Sequence, residues 1–412
     1  MNEMKKIFVS AYACEPGLGS EIGVGWHWVL EMSRYFELWV LTRESNRKTI
    51  EPWIAEHSEF VNIHFVYYDL PQWARRWKRG MRGVRIYYML WQWLTNGIVR
   101  RTMQENGIEV YHLLTYGNAM WPASRYGMKQ RFVWGPVSAG VSLPSFLTKH
   151  FSWKSRMKEV VQRWMKWLLP LNVGFRRRCK SADLILCKTD DTIQCVPEKW
   201  RGKCVQMTDV AVEMREAENY LSPKRYDETK INYVAAGTLM GWRTMDMLIE
   251  AWFSHFSLLT PHSSFLTIVG DGPERERLEK LVEKLGMVDS VRFVGQVDME
   301  TYYSYIAQAD VVVNPCFREG AVTVSFDSMA MGKPLICFDT GGYTHYFKPE
   351  YSRVIKGVKS RTEAVARLAR AMVELADREL IVRMGAEAKR NSGLYDWEHK
   401  GKKVQCLLED VL

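Results

Sequence analysis

Nowhere in the 412 residues is there an apolar run approaching the roughly 18 residues that a membrane-spanning helix needs, so the chain is not expected to cross a bilayer as a helix. The opening, MNEMKKIFVSAYACEPG, is basic, but only about seven largely apolar residues follow before Glu15-Pro16, too few for a secretory core. The eight cysteines form no CxxC pair and no Cys/His cluster with zinc spacing. Reduced thiols in a cytoplasm are the expectation, without a structural metal. No low-complexity tract and no repeat at a solenoid period is present. No recognised nucleic-acid-binding motif accompanies the basic residues, and no nucleic acid partner is expected.

What the chain does have is charge in one place. The formal net charge is +10, yet residues 71–180 hold 21 Lys and Arg against three acids, Glu105, Glu109 and Glu159, a regional +18. The remainder is therefore acidic. Nine of the 17 tryptophans fall in the same window. In WKSRMKEVVQRWMKWLLPLNVGFRRRCK, the residues Trp153, Met157, Val160, Val161, Trp164, Trp167 and Leu168 recur at helical spacing. Lys154, Lys158, Arg163 and Lys166 fall mostly elsewhere around the turn. This is the pattern of a helix lying at a membrane interface, where tryptophan favours the headgroup boundary and basic residues attract anionic lipid. An amphipathic helix packed on its own domain, with a solvated basic face, has the same periodicity.

Along the chain, short β-branched and aromatic runs alternate with helical patterns, which is α/β architecture. KKIFVSAY, FELWVLTR, VNIHFVYY, IEVYHLL, RFVWGPV and ADLILCKT read as strands of a first domain. INYVAAG, SFLTIVG, SVRFVG, ADVVVNP and KPLICFD read as strands of a second. Between them, residues 212–230 are polar and broken by proline, as in a linker. The expected division is a first Rossmann-like domain over 1–211, the linker, a second Rossmann-like domain over 231–385 and a C-terminal helix over 386–412 of undetermined packing. The two domains would face each other across a cleft.

Ligands in open parallel sheets bind beyond the carboxyl ends of the strands. The loop YACEPGLGSEIGVGW follows the first strand and carries Gly17, Gly19, Gly23 and Gly25 ahead of a helix. Such glycines let backbone approach a phosphate, and a tight turn uses them equally well. In the second domain, AAGTLMGWRTMDMLIEAW places Gly237, Thr238 and Arg243 in the corresponding turn. A guanidinium there matches a diphosphate in bidentate fashion; a solvated loop arginine is the alternative. Glu319 lies after the run ADVVVNP, and Asp327 lies eight residues later inside a predicted helix.

Taken in order, VAAGTLMGWRTMDMLIEAW, LTIVGDGPERERLEKL, VRFVGQV and FREGAVTVSFDSMAMGKPLICFDTGG resemble glycosyltransferase family 4, retaining enzymes of the GT-B fold that use nucleotide sugars. SAYACEPGLGSEIGVGW and FVWGPVSAG resemble a bacterial branch that builds surface polysaccharides such as lipopolysaccharide or capsule. The resemblance implies that Glu319, on the first acid of a Glu-x7-Glu signature, holds hydroxyls of the donor sugar. Asp327, on the second, would hold the ribose. The N–H groups of Gly320, Ala321, Val322 and Thr323 would meet the sugar and distal phosphate, with Gly17, Gly19, Gly237 and Thr238 nearby. The family's diphosphate clamp pairs an arginine just after the glycine with a lysine five residues on, and Thr238 and Arg243 stand there instead. Asp for Glu at 327 is a second departure. EVYHLLTYG aligns His112 with a histidine that faces the donor in the family, where a core histidine is the other reading. No D-x-D pair occurs in the chain, so no divalent metal and no cofactor beyond the nucleotide sugar is expected. The implied reaction is transfer of a sugar, with retention, to a hydroxyl of a lipid-linked saccharide, at the cytoplasmic side of an anionic membrane. A catalytically silent sugar-nucleotide binder or assembly subunit, or an epimerase on the same fold, are the alternatives.

Overall fold

The computed structural model describes residues 4–17, 20–73, 83–123, 127–139, 142–148, 153–213, 230–256, 264–318, 323–340 and 342–411. Thirteen strands are found among them, all paired in parallel within two sheets. The first sheet contains β1 (Lys6–Ser10), β2 (Glu37–Thr42), β3 (Ile63–Tyr67), β4 (Val110–Leu113), β5 (Arg131–Val137), β6 (Leu184–Cys187) and β7 (Cys204–Gln206), in the order β3-β2-β1-β4-β5-β6-β7. The second contains β8 (Ile231–Ala236), β9 (Ser264–Val269), β10 (Val291–Gly295), β11 (Val311–Asn314), β12 (Leu335–Phe338) and β13 (Ser352–Ile355), in the order β10-β9-β8-β11-β12-β13. Both orders run outward from the first strand and then reverse. The reversal leaves a crevice at the carboxyl ends of β1 and β4 in one sheet and of β8 and β11 in the other.

The central strands are mostly apolar because helices cover both faces of a parallel sheet. Ile7, Phe8 and Val9 of β1 and Val311, Val312 and Val313 of β11 are all buried. Every strand expected from the sequence is present. β7 and β13, short strands at sheet edges, are additional.

The chain divides into two compact units, one formed by residues 1–140, 165–209 and 397–412, the other by 141–164 and 210–396. This differs from the division read along the sequence in two places. Residues 141–164 belong with the second unit, where Leu143 and Leu147 enter its core. The C-terminal helix Trp397–Glu409 belongs with the first: His27 stacks on Trp397 at 5.3 Å, and Gly401 lies against the Glu31 side chain of the Ser20–Ser33 helix. Most of the expected linker, 214–229, lies outside the described residues.

Candidate functional site

In the second unit, β8 ends at Ala236 and the chain turns through Gly237 at φ +142°, a conformation that side-chain-bearing residues rarely adopt. The absent side chain has a use here. A Cβ on Gly237 would lie 2.6 Å from Nη1 of Arg243, so the guanidinium occupies the space over the glycine. Arg243 ends a short 3-10 turn, Gly241–Arg243, and its Cζ also lies 5.0 Å from the centroid of the Trp242 ring. Thr244, at φ +53°, follows and donates its hydroxyl to the Pro315 carbonyl at 2.5 Å. A β-branched residue in that region is strained, and such strain persists only where surrounding contacts enforce it. The turn is thereby tied to the exit of β11. The structure thus brings Gly237, Thr238 and Arg243 together beside the β8/β11 crevice, with Thr238 exposed.

The neighbouring turn closes on this one. A Cβ on Gly270 would meet the Gly237 carbonyl at 2.2 Å, and one on Gly272 would meet the Leu239 carbonyl at 2.5 Å. The loop after β9 therefore seats directly on the loop after β8. Beyond β11, the helix Thr323–Ala330 begins at an exposed Thr323 and buries Asp327 on its inner face. One carboxylate oxygen of Asp327 accepts the Tyr302 hydroxyl at 2.6 Å. Burial, and then the Asp327 charge, push the Tyr302 hydroxyl well above its ordinary value, so it remains a donor. Glu319, Gly320, Ala321 and Val322 lie outside the described residues, as does Gly19.

The first unit treats its glycine turn differently. Gly17, at φ +71°, is exposed, with nothing within 4 Å of where a Cβ would stand, whereas a Cβ on Gly25 would sit 2.0 Å from the Ala13 carbonyl and 2.7 Å from the Thr115 methyl. Gly25 serves close helix-to-strand packing. Charges that no sequence motif marks gather in the same place. Lys188, just past β6, pairs with Asp209, and backbone N–H groups of Tyr116 and Gly117 reach the carboxylate of Glu21 nearby. Burial works against charge on both members of the Lys188–Asp209 pair. Their mutual attraction outweighs it, raising the Lys188 ammonium and lowering the Asp209 carboxyl. Lys400, from the C-terminal helix, donates to the Thr208 carbonyl at 2.8 Å and lies over the rings of Trp28 and Trp397. Burial pulls its ammonium down to about 7, against the favourable charge of Asp209. No spacing announced this cluster, because its members stand on four separate segments.

His112 lies on β4 with 0% exposure, its Nε2 2.7 Å from the Gly135 carbonyl and its ring edge-on to Trp28. Burial lowers its ring to about 4, so it is neutral at physiological pH. It is enclosed by packing within the first unit. Among the described residues, no group of three or more His, Cys, Asp or Glu is arranged to hold a metal ion.

Residues 218–391, most of the second unit, match the family model described as glycosyl transferases group 1. Over that stretch the second unit is similar to the glycosyl transferases of group 1. The chain is 30% identical over 179 residues to the uncharacterized glycosyltransferase MJ1607 of Methanocaldococcus jannaschii, covering 43% of this chain and 44% of that protein. It is 30% identical over 128 residues to the lipopolysaccharide core biosynthesis glycosyltransferase LpsD of Rhizobium meliloti, covering 31% of this chain and 37% of that one. The matched regions thus span less than half the length of these curated relatives. Among solved structures, Anabaena Alr3699/HepE in complex with UDP aligns over 99% of this chain and 100% of its own, with a TM-score of 0.61 at 14% identity. At that identity the likeness speaks for the fold, the GT-B fold of glycosyltransferases in which the group 1 domain is one of two parallel-sheet halves.

Proposed function

We propose that the protein is a retaining glycosyltransferase that moves a sugar from a nucleoside diphosphate to a hydroxyl of a lipid-linked saccharide, in assembly of a surface polysaccharide. The observation that carries this reading is the Arg243 guanidinium lying over Gly237 at the carboxyl end of β8. A diphosphate arriving there meets a guanidinium that already lies over a backbone without a side chain of its own. In such a transfer, negative charge builds on the departing diphosphate, and groups already aimed at it lower the barrier most. Arg243 and the amides at the start of the Thr323–Ala330 helix fill that role in this proposal. Glu319 would orient the sugar hydroxyls, and Asp327 the ribose. Thr238, where the family has arginine, leaves the clamp with one cation fewer. The chain has no D-x-D pair, and the proposed mechanism uses no divalent metal.

The lipid-linked acceptor is argued from a second observation. The helix Trp153–Leu168 leaves Trp153, Trp164 and Trp167 at 72%, 60% and 71% exposure, with Met157, Val160 and Val161 also exposed. Indole rings of that exposure amid a regional +18 fit the headgroup layer of an anionic membrane, a peripheral attachment from the cytoplasmic side. The name of the relative LpsD places it in lipopolysaccharide core synthesis, in keeping with such an acceptor.

The test joins both halves. Purified protein is given UDP-, GDP- and ADP-sugars with lipid extract as acceptor, and Glu319→Ala is expected to lower transfer at least tenfold, or about 1.4 kcal/mol of barrier. The protein should sediment with anionic vesicles at low salt and release them at high salt, since the attraction is screened. Undiminished transfer by Glu319→Ala sinks the donor assignment, and equal sedimentation with neutral vesicles sinks the membrane one.

A further inference from the structure

We propose that Arg318 is a positioning residue for the donor side of the second unit, held in place by Glu159 of the Trp153–Leu168 helix. The proposal rests on the reading above for what the positioned groups bind, but the link stands on its own geometry. Arg318 directly precedes Glu319 in the sequence. Its Nη2 pairs with Glu159 Oε2 and also donates to Gln162 Oε1 at 3.2 Å, one helical turn further on. Its guanidinium carbon lies 6.0 Å from the centroid of Trp242, the ring that Arg243 approaches at 5.0 Å. Two guanidinium groups therefore share one indole. One belongs to the proposed diphosphate clamp and the other answers to a helix 159 residues away in the chain.

The rest of the segment is pinned to match. The Arg318 N–H donates to Cys316 Sγ at 3.4 Å, and the Cys316 thiol lies 4.0 Å from the Trp242 carbonyl. Phe317 stacks on Phe338 at 4.1 Å and meets Phe146 edge-on at 5.9 Å. Phe146 precedes the helix that carries Glu159. Arg163 of that helix returns to the Leu143 carbonyl at 3.0 Å, so residues from both ends of 143–163 brace the end of β11.

The charge pattern of the helix points the same way. Glu159 is one of three acids among residues 71–180, and Arg156 and Arg163 stand one helical turn to either side of it in its own helix. Its side chain is 10% exposed and is turned instead to Arg318, itself 22% exposed. A half-buried pair of this kind is costly to leave half-made, because the remaining charge loses its partner without regaining water. The flat guanidinium lets one nitrogen meet both oxygens while the plane lies near the Trp242 ring, a placement that the compact ammonium of a lysine reproduces only in part.

The experiment uses Glu159→Gln, Arg318→Ala, Arg318→Lys and the exchanged pair Glu159→Arg with Arg318→Glu. Amide hydrogen exchange over residues 316–330 is followed first. Both Glu159→Gln and Arg318→Ala are expected to speed it by about tenfold, the scale set by losing one charge-assisted hydrogen bond, while β1–β6 keep the parent pattern. Arg318→Lys should recover part of the protection and the exchanged pair most of it. Parent-like exchange in both single variants overturns the link. Calorimetry with UDP, GDP and ADP follows. Affinity for whichever the parent binds is expected to fall by about tenfold in both single variants and return in the exchanged pair. Faster exchange with unchanged affinity overturns the positioning role. A parent that binds none of the three overturns the donor reading, and the exchange data still decide whether Glu159 holds Arg318.

Discussion

The two units answer the same topological problem with the same kind of turn and finish it in opposite ways. Each sheet reverses order at its first strand, and each first strand runs into glycines and then a helix. After β1, the space left by Gly25 is filled by the Ala13 carbonyl and the Thr115 methyl. The nearby charges there pair among themselves, Lys188 with Asp209. After β8, the space left by Gly237 is taken by the end of a flexible arginine, beside an exposed threonine. A glycine turn is therefore not a ligand site by virtue of its glycines. Gly25 and Gly237 differ in whether the vacated volume meets backbone, which cannot move away, or a guanidinium, which can shift to meet an anion.

That contrast is open to breakage from the packed side. Lys188→Met leaves Asp209 without its partner, and because both side chains keep about a quarter of their surface, at 24% and 23%, the loss of stability should be about 3 kcal/mol, the lower end for breaking a buried pair. Chemical denaturation would show it, with nucleoside diphosphate affinity unchanged. A loss of affinity without a loss of stability would move the ligand to the first unit. Gly25→Ala comes next. The new methyl meets a backbone carbonyl, and about 1–3 kcal/mol of overpacking is expected, read as a lower denaturation midpoint. If Gly25→Ala kept parent stability and instead lost nucleotide binding, the Ser20–Ser33 helix of the first unit would face the nucleotide after all.

How much of this was legible in the sequence follows from the range over which each feature is encoded. Central strands such as Val311–Asn314 are buried on both faces, so they read as unbroken apolar runs. Ser352–Ile355 does not, because an edge strand tolerates Ser352 and Arg353. The turn with Gly237 and Arg243 is local, six residues apart, and spacing alone drew attention to it. The assignment of residues 141–164 to the second unit was hidden, since Leu143 and Leu147 are ordinary apolar residues until a core receives them. Glu159 with Arg318, and Lys188 with Asp209 and Lys400, join segments far apart in the chain, and nothing in either segment names the other. His112 shows the converse. Its alignment with a donor-facing histidine was legible, but its enclosure at 0% exposure beneath Trp28 depends on a helix whose seating no motif describes.

The most direct test of the claim that the second unit holds the donor through its open turn is calorimetric titration of the parent and of Arg243→Ala with UDP, GDP and ADP. One of the three is expected to bind the parent, and the variant should bind it at least tenfold more weakly, within the roughly 1.5–3 kcal/mol of a hydrogen bond to a charged group, at an unchanged melting temperature. Equal binding by both proteins would contradict the account.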